Sequence, residues 1–151
     1  NIPGDEPLVQ PIMIDNLVMA IQNEKEAQMA TMIKKVENVE DIKNPNLVKV
    51  VIDKNGYALY FSRCPIPYMR DPGSKTPVYY KHIGMYAFTK DFLFTFRNLP
   101  SSMLETAEKL EQLRVLEYGY KIKTVETKFD TIGVDTVEDL ERVRSLMQNN
   151  G

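Results

Sequence analysis

Strands alternating with helices, together with one hairpin, predict an α/β fold with a mixed, mostly parallel sheet flanked by helices. Three observations carry this. "LVKVVIDKNGYALYFSR" is two β-rich runs joined through Asn55-Gly56, a pair suited to the positive φ angles of a tight hairpin turn. "SSMLETAEKLEQLRVLEYG" has helical spacing with a start and a stop signal. "AQMATMIKKV" and "YKIKTVET" alternate as strands do. At 151 residues and 43% hydrophobic content the chain has the size of one domain, 1–151, with enough apolar side chain for a core.

"GDEP" reads as a loop leaving a strand, its glycine and proline both unsuited to continued pairing. From Pro11 to Asn23, Ile12, Leu17, Val18 and Ile21 approximate helical spacing, and Pro11 suits a first turn where its missing N–H does no harm. Ala27, Met29, Thr31 and Ile33 then share one face of a strand. "VEDIKNPN" reads as a short helical turn broken before Pro45. After the hairpin, "CPIPYMRDPGSKTP" is too rich in proline and glycine for regular structure and reads as a surface loop. "VYYKHIGMYAF" is a strand and "KDFLFTFRNL" a short amphipathic helix. In the next helix Ser102 and Glu105 have capping-box spacing, Gly119 suits a left-handed stop, and Leu104, Ala107, Leu110, Leu113 and Leu116 form the buried stripe. "TVEDLERVRSLM" closes the chain as a helix, with Thr136 and Asp139 placed at its start.

Nineteen basic and twenty-one acidic residues leave a net charge of -2, which gives no electrostatic footprint for nucleic acid or an anionic membrane. The single cysteine, Cys64, has no partner for an internal disulfide, and the expected compartment is reducing. Buried packing is the ordinary use for such a thiol. Asp5 and Asp135 both lie where a strand gives way to a helix, and two carboxylates at strand ends can converge on Mg²⁺. Taken alone, Asp135 reads rather as an acid placed at a helix N-terminus, stabilised by the macrodipole. His82, the one histidine, reads alone as a hydrogen-bonded structural residue, and Glu111 and Gln112 as a solvated helix edge.

Five ordered blocks change that balance: "GDEPLV", "NPNLVKVVIDKNGYALYFSRCPIPY", "KHIGMYAF", "LEQLRVLEYGYKIK" and "GVDTVEDLERV". Together they closely resemble the bacterial 3-deoxy-manno-octulosonate cytidylyltransferases, the CMP-Kdo synthetases, over nearly the whole chain. The resemblance implies a nucleotide-diphospho-sugar transferase-like, Rossmann-type fold lacking its first βα unit. It also implies transfer of CMP from CTP to the sugar acid Kdo with release of pyrophosphate, Mg²⁺ as cofactor, a cytoplasmic homodimer and a role in lipopolysaccharide biosynthesis. By the same resemblance Asp5 and Asp135 are the metal ligands and catalytic residues, and Arg63, His82, Tyr86, Glu111 and Gln112 face the sugar. Two departures stand out. Pro3 replaces the family's usual glutamine before "GDEP", and the glycine- and arginine-containing nucleotide loop that precedes this region in the family is not in the chain. These leave open a relative acting on another acidic sugar, or a non-catalytic sugar-binding or dimerisation fragment.

Overall fold

The computed structural model describes residues 1–71, 76–131, 133–134 and 136–149. Elements follow in the order α1 (Pro11–Asn23), β1 (Met29–Lys35), a 3-10 turn (Val39–Lys43), β2 (Lys49–Ile52), β3 (Ala58–Ser62) and β4 (Tyr80–Phe88). Then come α2 (Lys90–Asn98), α3 (Met103–Glu108), α4 (Gln112–Glu117), β5 (Ile122–Glu126) and α5 (Val137–Asn149).

The strands form one five-stranded sheet in the order β3-β2-β4-β1-β5. Only β1 and β5 pair in parallel, whereas β1/β4, β2/β3 and β2/β4 are antiparallel. The mixed α/β class is as expected, but within these residues the balance is mostly antiparallel. The cause lies in the connections. The connection from β1 to β2 passes over the position of β4, and that from β3 to β4 passes over the position of β2, so each joins strands of the same sense and the strand between them pairs antiparallel with both.

Six of the seven β1 residues are buried, so both faces of that strand are covered rather than one. Met29 and Ile33 join Val50, Phe61, Phe92, Leu113, Val115 and Ile122 in one cluster, against α2 and α4. Ala30 and Met32 join Met13 and Leu17 of α1 and Ile83 and Met85 of β4 in the other. α1 and the α2–α4 layer therefore sandwich the sheet.

The hairpin turns differently from a simple Asn-Gly corner. Gly56 alone takes a positive φ, +76°. Asp53 Oδ1 accepts from the backbone N–H groups of Asn55 and Tyr57, each at 2.8 Å, which holds the corner from its first residue. The Gly56 carbonyl then accepts from both the N–H and the Oγ1 of Thr124, so the hairpin tip leans on β5.

The single helix expected over residues 101–119 is two helices. Its start is the capping box: Ser102 Oγ accepts from Glu105 N–H, and Glu105 Oε2 accepts from Ser102 N–H. Lys109 breaks it in the left-handed region at φ 55°. Leu110 and Leu113 remain buried, but Ala107 is exposed. Cys64 is exposed as well, contrary to the packing role expected of it, because it follows β3 into the proline-rich loop. Gly119 does take the expected left-handed stop, at φ +81°.

Candidate functional site

β4 organises the site. Beyond its two pairs with β2, the strand's edge is met by Asn1: Asn1 and Tyr86 exchange backbone hydrogen bonds, Asn1 N donating to Tyr86 O at 2.7 Å and Tyr86 N–H to Asn1 O at 3.0 Å. Between those contacts lies an open cavity of about 440 Å³, lined among others by Glu6, Asn44, Asn46, Lys81, His82 and Thr131. Small-molecule sites usually fall at roughly 300–1,000 Å³.

The alternation of a strand puts His82 and Tyr86 on one face of β4, and register puts Thr31 of β1 opposite Tyr86. Gln112, 2% exposed at the start of α4, comes down on the same face. The four side chains form one directional chain. Tyr86 Oη donates to Gln112 Oε1 at 3.2 Å, and Gln112 Nε2 faces His82 Nδ1 at 3.5 Å. His82 Nε2 lies 2.8 Å from Thr31 Oγ1, which is itself 2.8 Å from the Met85 carbonyl. A carbonyl only accepts, so the single hydroxyl proton of Thr31 goes to the backbone, where the Ile83 carbonyl also lies 3.3 Å away. The hydroxyl must then accept from His82, which places the imidazole proton on Nε2.

Rings brace this arrangement. Phe61 meets His82 edge-on at 5.0 Å, and Tyr86 lies tilted at 5.5 Å. Burial pushes the His82 imidazole down to about 3, so it is neutral at physiological pH. Burial, aided by the charge of Glu111, pushes the Tyr86 phenol up, so it remains a donor.

The other sequence-predicted residues fall around this cluster rather than in it. Glu111 is exposed beside a separate hollow with Ser101, Glu105, Thr106 and Lys109. Arg63 spends its guanidinium on backbone carbonyls: Nε to Glu108 O at 2.7 Å, Nη1 to Pro45 O at 3.0 Å and Nη2 to Lys109 O at 3.5 Å. Pro45 stands between the two asparagines that line the cavity, so Arg63 supports that wall from behind. Lys49, fully buried, donates to the carbonyls of Asn44, Leu47 and Arg63 and ties the same wall to β2.

Asp5 is exposed in its loop, and its carbonyl accepts from Val134 N–H at 2.8 Å, which brings the "GDEP" loop against the "GVDT" segment. Asp135 lies outside the described residues. Among the described residues no three His, Cys, Asp or Glu side chains group as a metal site. A buried carboxylate oxygen is nevertheless orphaned next door: Glu6 Oε2 has no hydrogen-bond partner. Desolvation, with the Asp5 charge adding to it, raises the Glu6 carboxyl above its ordinary value, although Thr131 and Lys81 oppose the shift. An exposed carboxylate beside a buried unpaired one is an oxygen-only donor set, which suits Mg²⁺.

Thr31, Glu6, Lys81 and Thr131 had not been singled out as site residues. A threonine among the apolar residues of one strand face was the available signal for Thr31. Glu6 was visible beside Asp5 but had no assigned work.

This mixed sheet layered between helices, with a polar cavity at a strand edge, is a fold that the chain shares with solved nucleotidyltransferases. A solved putative glucose-1-phosphate thymidylyltransferase from Bacillus anthracis, in complex with a sucrose, has this fold at TM-score 0.58 and 17% identity, covering 96% of this chain and 52% of that one. The model of the cytidylyltransferase family matches residues 1–123, and the chain belongs to that family. The 3-deoxy-manno-octulosonate cytidylyltransferase of Solibacter usitatus is 51% identical over 98% of this chain and 58% of its own length. The Fusobacterium nucleatum protein of the same name is 51% identical over 99% of this chain and 60% of its own. A solved CMP:2-keto-3-deoxy-manno-octonic acid synthetase complexed with CTP superposes at TM-score 0.91 with 40% identity, covering 98% of this chain and 60% of that one. The chain thus spans about three fifths of the relatives it matches.

Proposed function

We propose that the full-length protein transfers CMP from CTP to 3-deoxy-manno-octulosonate, supplying lipopolysaccharide biosynthesis in the cytoplasm as a homodimer. The observation that carries this is 51% identity to enzymes of that name over 98–99% of the chain. In the reaction the anomeric oxygen attacks the α-phosphorus, its hydroxyl proton passing to water, while the bond from the α-phosphorus to the oxygen of the β-phosphate breaks and pyrophosphate leaves. Asp5 and Asp135 would hold Mg²⁺, which when bound offsets the charge on the reacting phosphate and on pyrophosphate. The chain's own contribution is positioning. Gln112 offers an N–H donor, Tyr86, its one proton given to Gln112, an acceptor oxygen, and His82 a fixed neutral group to the polyol, while Glu111 adds an acceptor at the rim and Arg63 holds the cavity wall in place.

The test is pyrophosphate release by the full-length protein with CTP, Kdo and Mg²⁺. Removing the metal with chelator abolishes it under this reading. Asp5→Asn and Asp135→Asn are each expected to lower turnover about a hundredfold or more while leaving thermal unfolding unchanged. Normal turnover in either variant removes that residue from the metal site.

A further inference from the structure

Thr31 touches no solvent, and its hydroxyl is committed on one side to the Met85 carbonyl and on the other to His82 Nε2. We infer that Thr31 is a positioning residue: by accepting the Nε2 proton of His82 it leaves Nδ1 as the acceptor of the ring, so that His82 meets a hydroxyl of the sugar acid and not its carboxylate. The sugar half rests on the function proposed above, whereas the link between Thr31 and His82 does not.

A neutral imidazole has one donor and one acceptor nitrogen, and which is which follows from the partner that has no choice. Here that partner is the Met85 carbonyl, two bonds away along the chain of contacts. Thr31 is locked by it, and His82 is locked by Thr31. Gln112 then completes the order, because its Oε1 is taken by the Tyr86 hydroxyl and only its N–H groups can turn toward Nδ1. The 3.5 Å separation there is long for a hydrogen bond, which leaves Nδ1 free to prefer a better donor. His82 also lines the cavity beside Glu6, Lys81 and Thr131, where a polyol hydroxyl can be offered to it. A carboxylate finds no donor on that nitrogen. Discrimination therefore depends on a hydroxyl at residue 31, on a neighbouring strand.

The experiment uses full-length protein labelled with ¹⁵N-histidine, the signals of His82 being those lost in His82→Gln. The wild type is expected to show one neutral tautomer with its proton on Nε2 over roughly pH 6 to 8. Thr31→Val keeps the shape and removes the hydroxyl. It should populate the form protonated on Nδ1 and raise the apparent KM for Kdo about tenfold with little change for CTP. Thr31→Ser should restore both readouts. A wild-type proton on Nδ1, or a tautomer unmoved by Thr31→Val, overturns the inference. If the valine protein does not fold, the wild-type tautomer and the serine variant decide. A moved tautomer with an unmoved Kdo KM supports the link between Thr31 and His82 and overturns the sugar contact.

Discussion

A histidine held neutral by burial makes folding depend on pH with a definite sign. Its folded value lies near 3 and its unfolded value near 6.5, so below pH 6.5 the unfolded chain binds the extra proton. Stability that is complete above that point is lost progressively as pH falls toward 3, at up to about 1.4 kcal/mol per pH unit. In urea unfolding between pH 6 and 4.5 the wild type should therefore lose stability more steeply than His82→Gln, by about 1 kcal/mol per unit. Parallel curves would show that the ring is solvated. Arg63 sets a second question at this scale, since its donors are on carbonyls rather than on an acid. Arg63→Lys keeps the charge but cannot span three acceptors, and is expected to cost about 1–2 kcal/mol of unfolding free energy. Full stability with a large rise in Kdo KM would make Arg63 a ligand contact instead. The candidate sugar-facing residues were suggested only by the family resemblance. Nothing in "KHIGMY" alone separates a site histidine from a structural one, and the partner that fixes its proton is 51 residues away on another strand.

The joint between α3 and α4 shows what local pattern conveys and what it hides. The capping box at Ser102 and the stop at Gly119 were readable because both are short-range hydrogen-bond chemistry. The break at Lys109 was not, since neither glycine nor proline marks it. Its cause is tertiary. Arg114 donates Nε to Glu105 Oε2 at 2.9 Å and Nη2 to Glu105 Oε1 at 2.7 Å, while Nη1 reaches Leu99 O at 3.1 Å. In a continuous helix residues nine apart are separated by about 13 Å along the axis, so this bidentate pair requires the chain to turn. Glu105→Ala removes both the clamp and the capping box and should destabilise the protein by about 2–3 kcal/mol in chemical unfolding, against well under 1 for an exposed pair such as Lys43–Glu40. Lys109→Gly should do the reverse, raising stability by up to about 1 kcal/mol, because a left-handed C-cap costs a side-chain-bearing residue more than glycine. A destabilised Lys109→Gly would mean that the lysine side chain contributes more than its backbone strain removes.

At the scale of the molecule, alternation of strands and helices was enough for the α/β class, but strand direction was not in the pattern. Alternating residues fix which side chains share a face of β1 or β4 and say nothing about the sense in which the partner runs. Direction follows from the order of strands in the sheet, with β4 between β1 and β2, and that order is set by three-dimensional packing. The same limit applies to ligands. The relatives are longer, and this chain covers 58–60% of them. The described residues supply a polar cavity at the β4 edge and a carboxylate loop against Val134, but no glycine-rich turn leading into a helix where phosphates would meet backbone N–H groups; α1 begins on Gln10 and Pro11 with no side-chain cap. Sugar recognition and triphosphate recognition should therefore separate when the chain is cut. By titration calorimetry the 151-residue chain is expected to bind CTP at least about a hundredfold more weakly than the full-length protein, the equivalent of losing two charge-assisted hydrogen bonds to phosphate. His82 in that same chain should keep its Nε2 proton, because every contact that sets it, from Met85 through Thr31 to Gln112, lies within residues 31–112. Equal CTP affinity in the two proteins would place the nucleotide site among the residues described here, and loss of the tautomer in the shorter chain would show that the β4 cluster needs the rest of the protein to form.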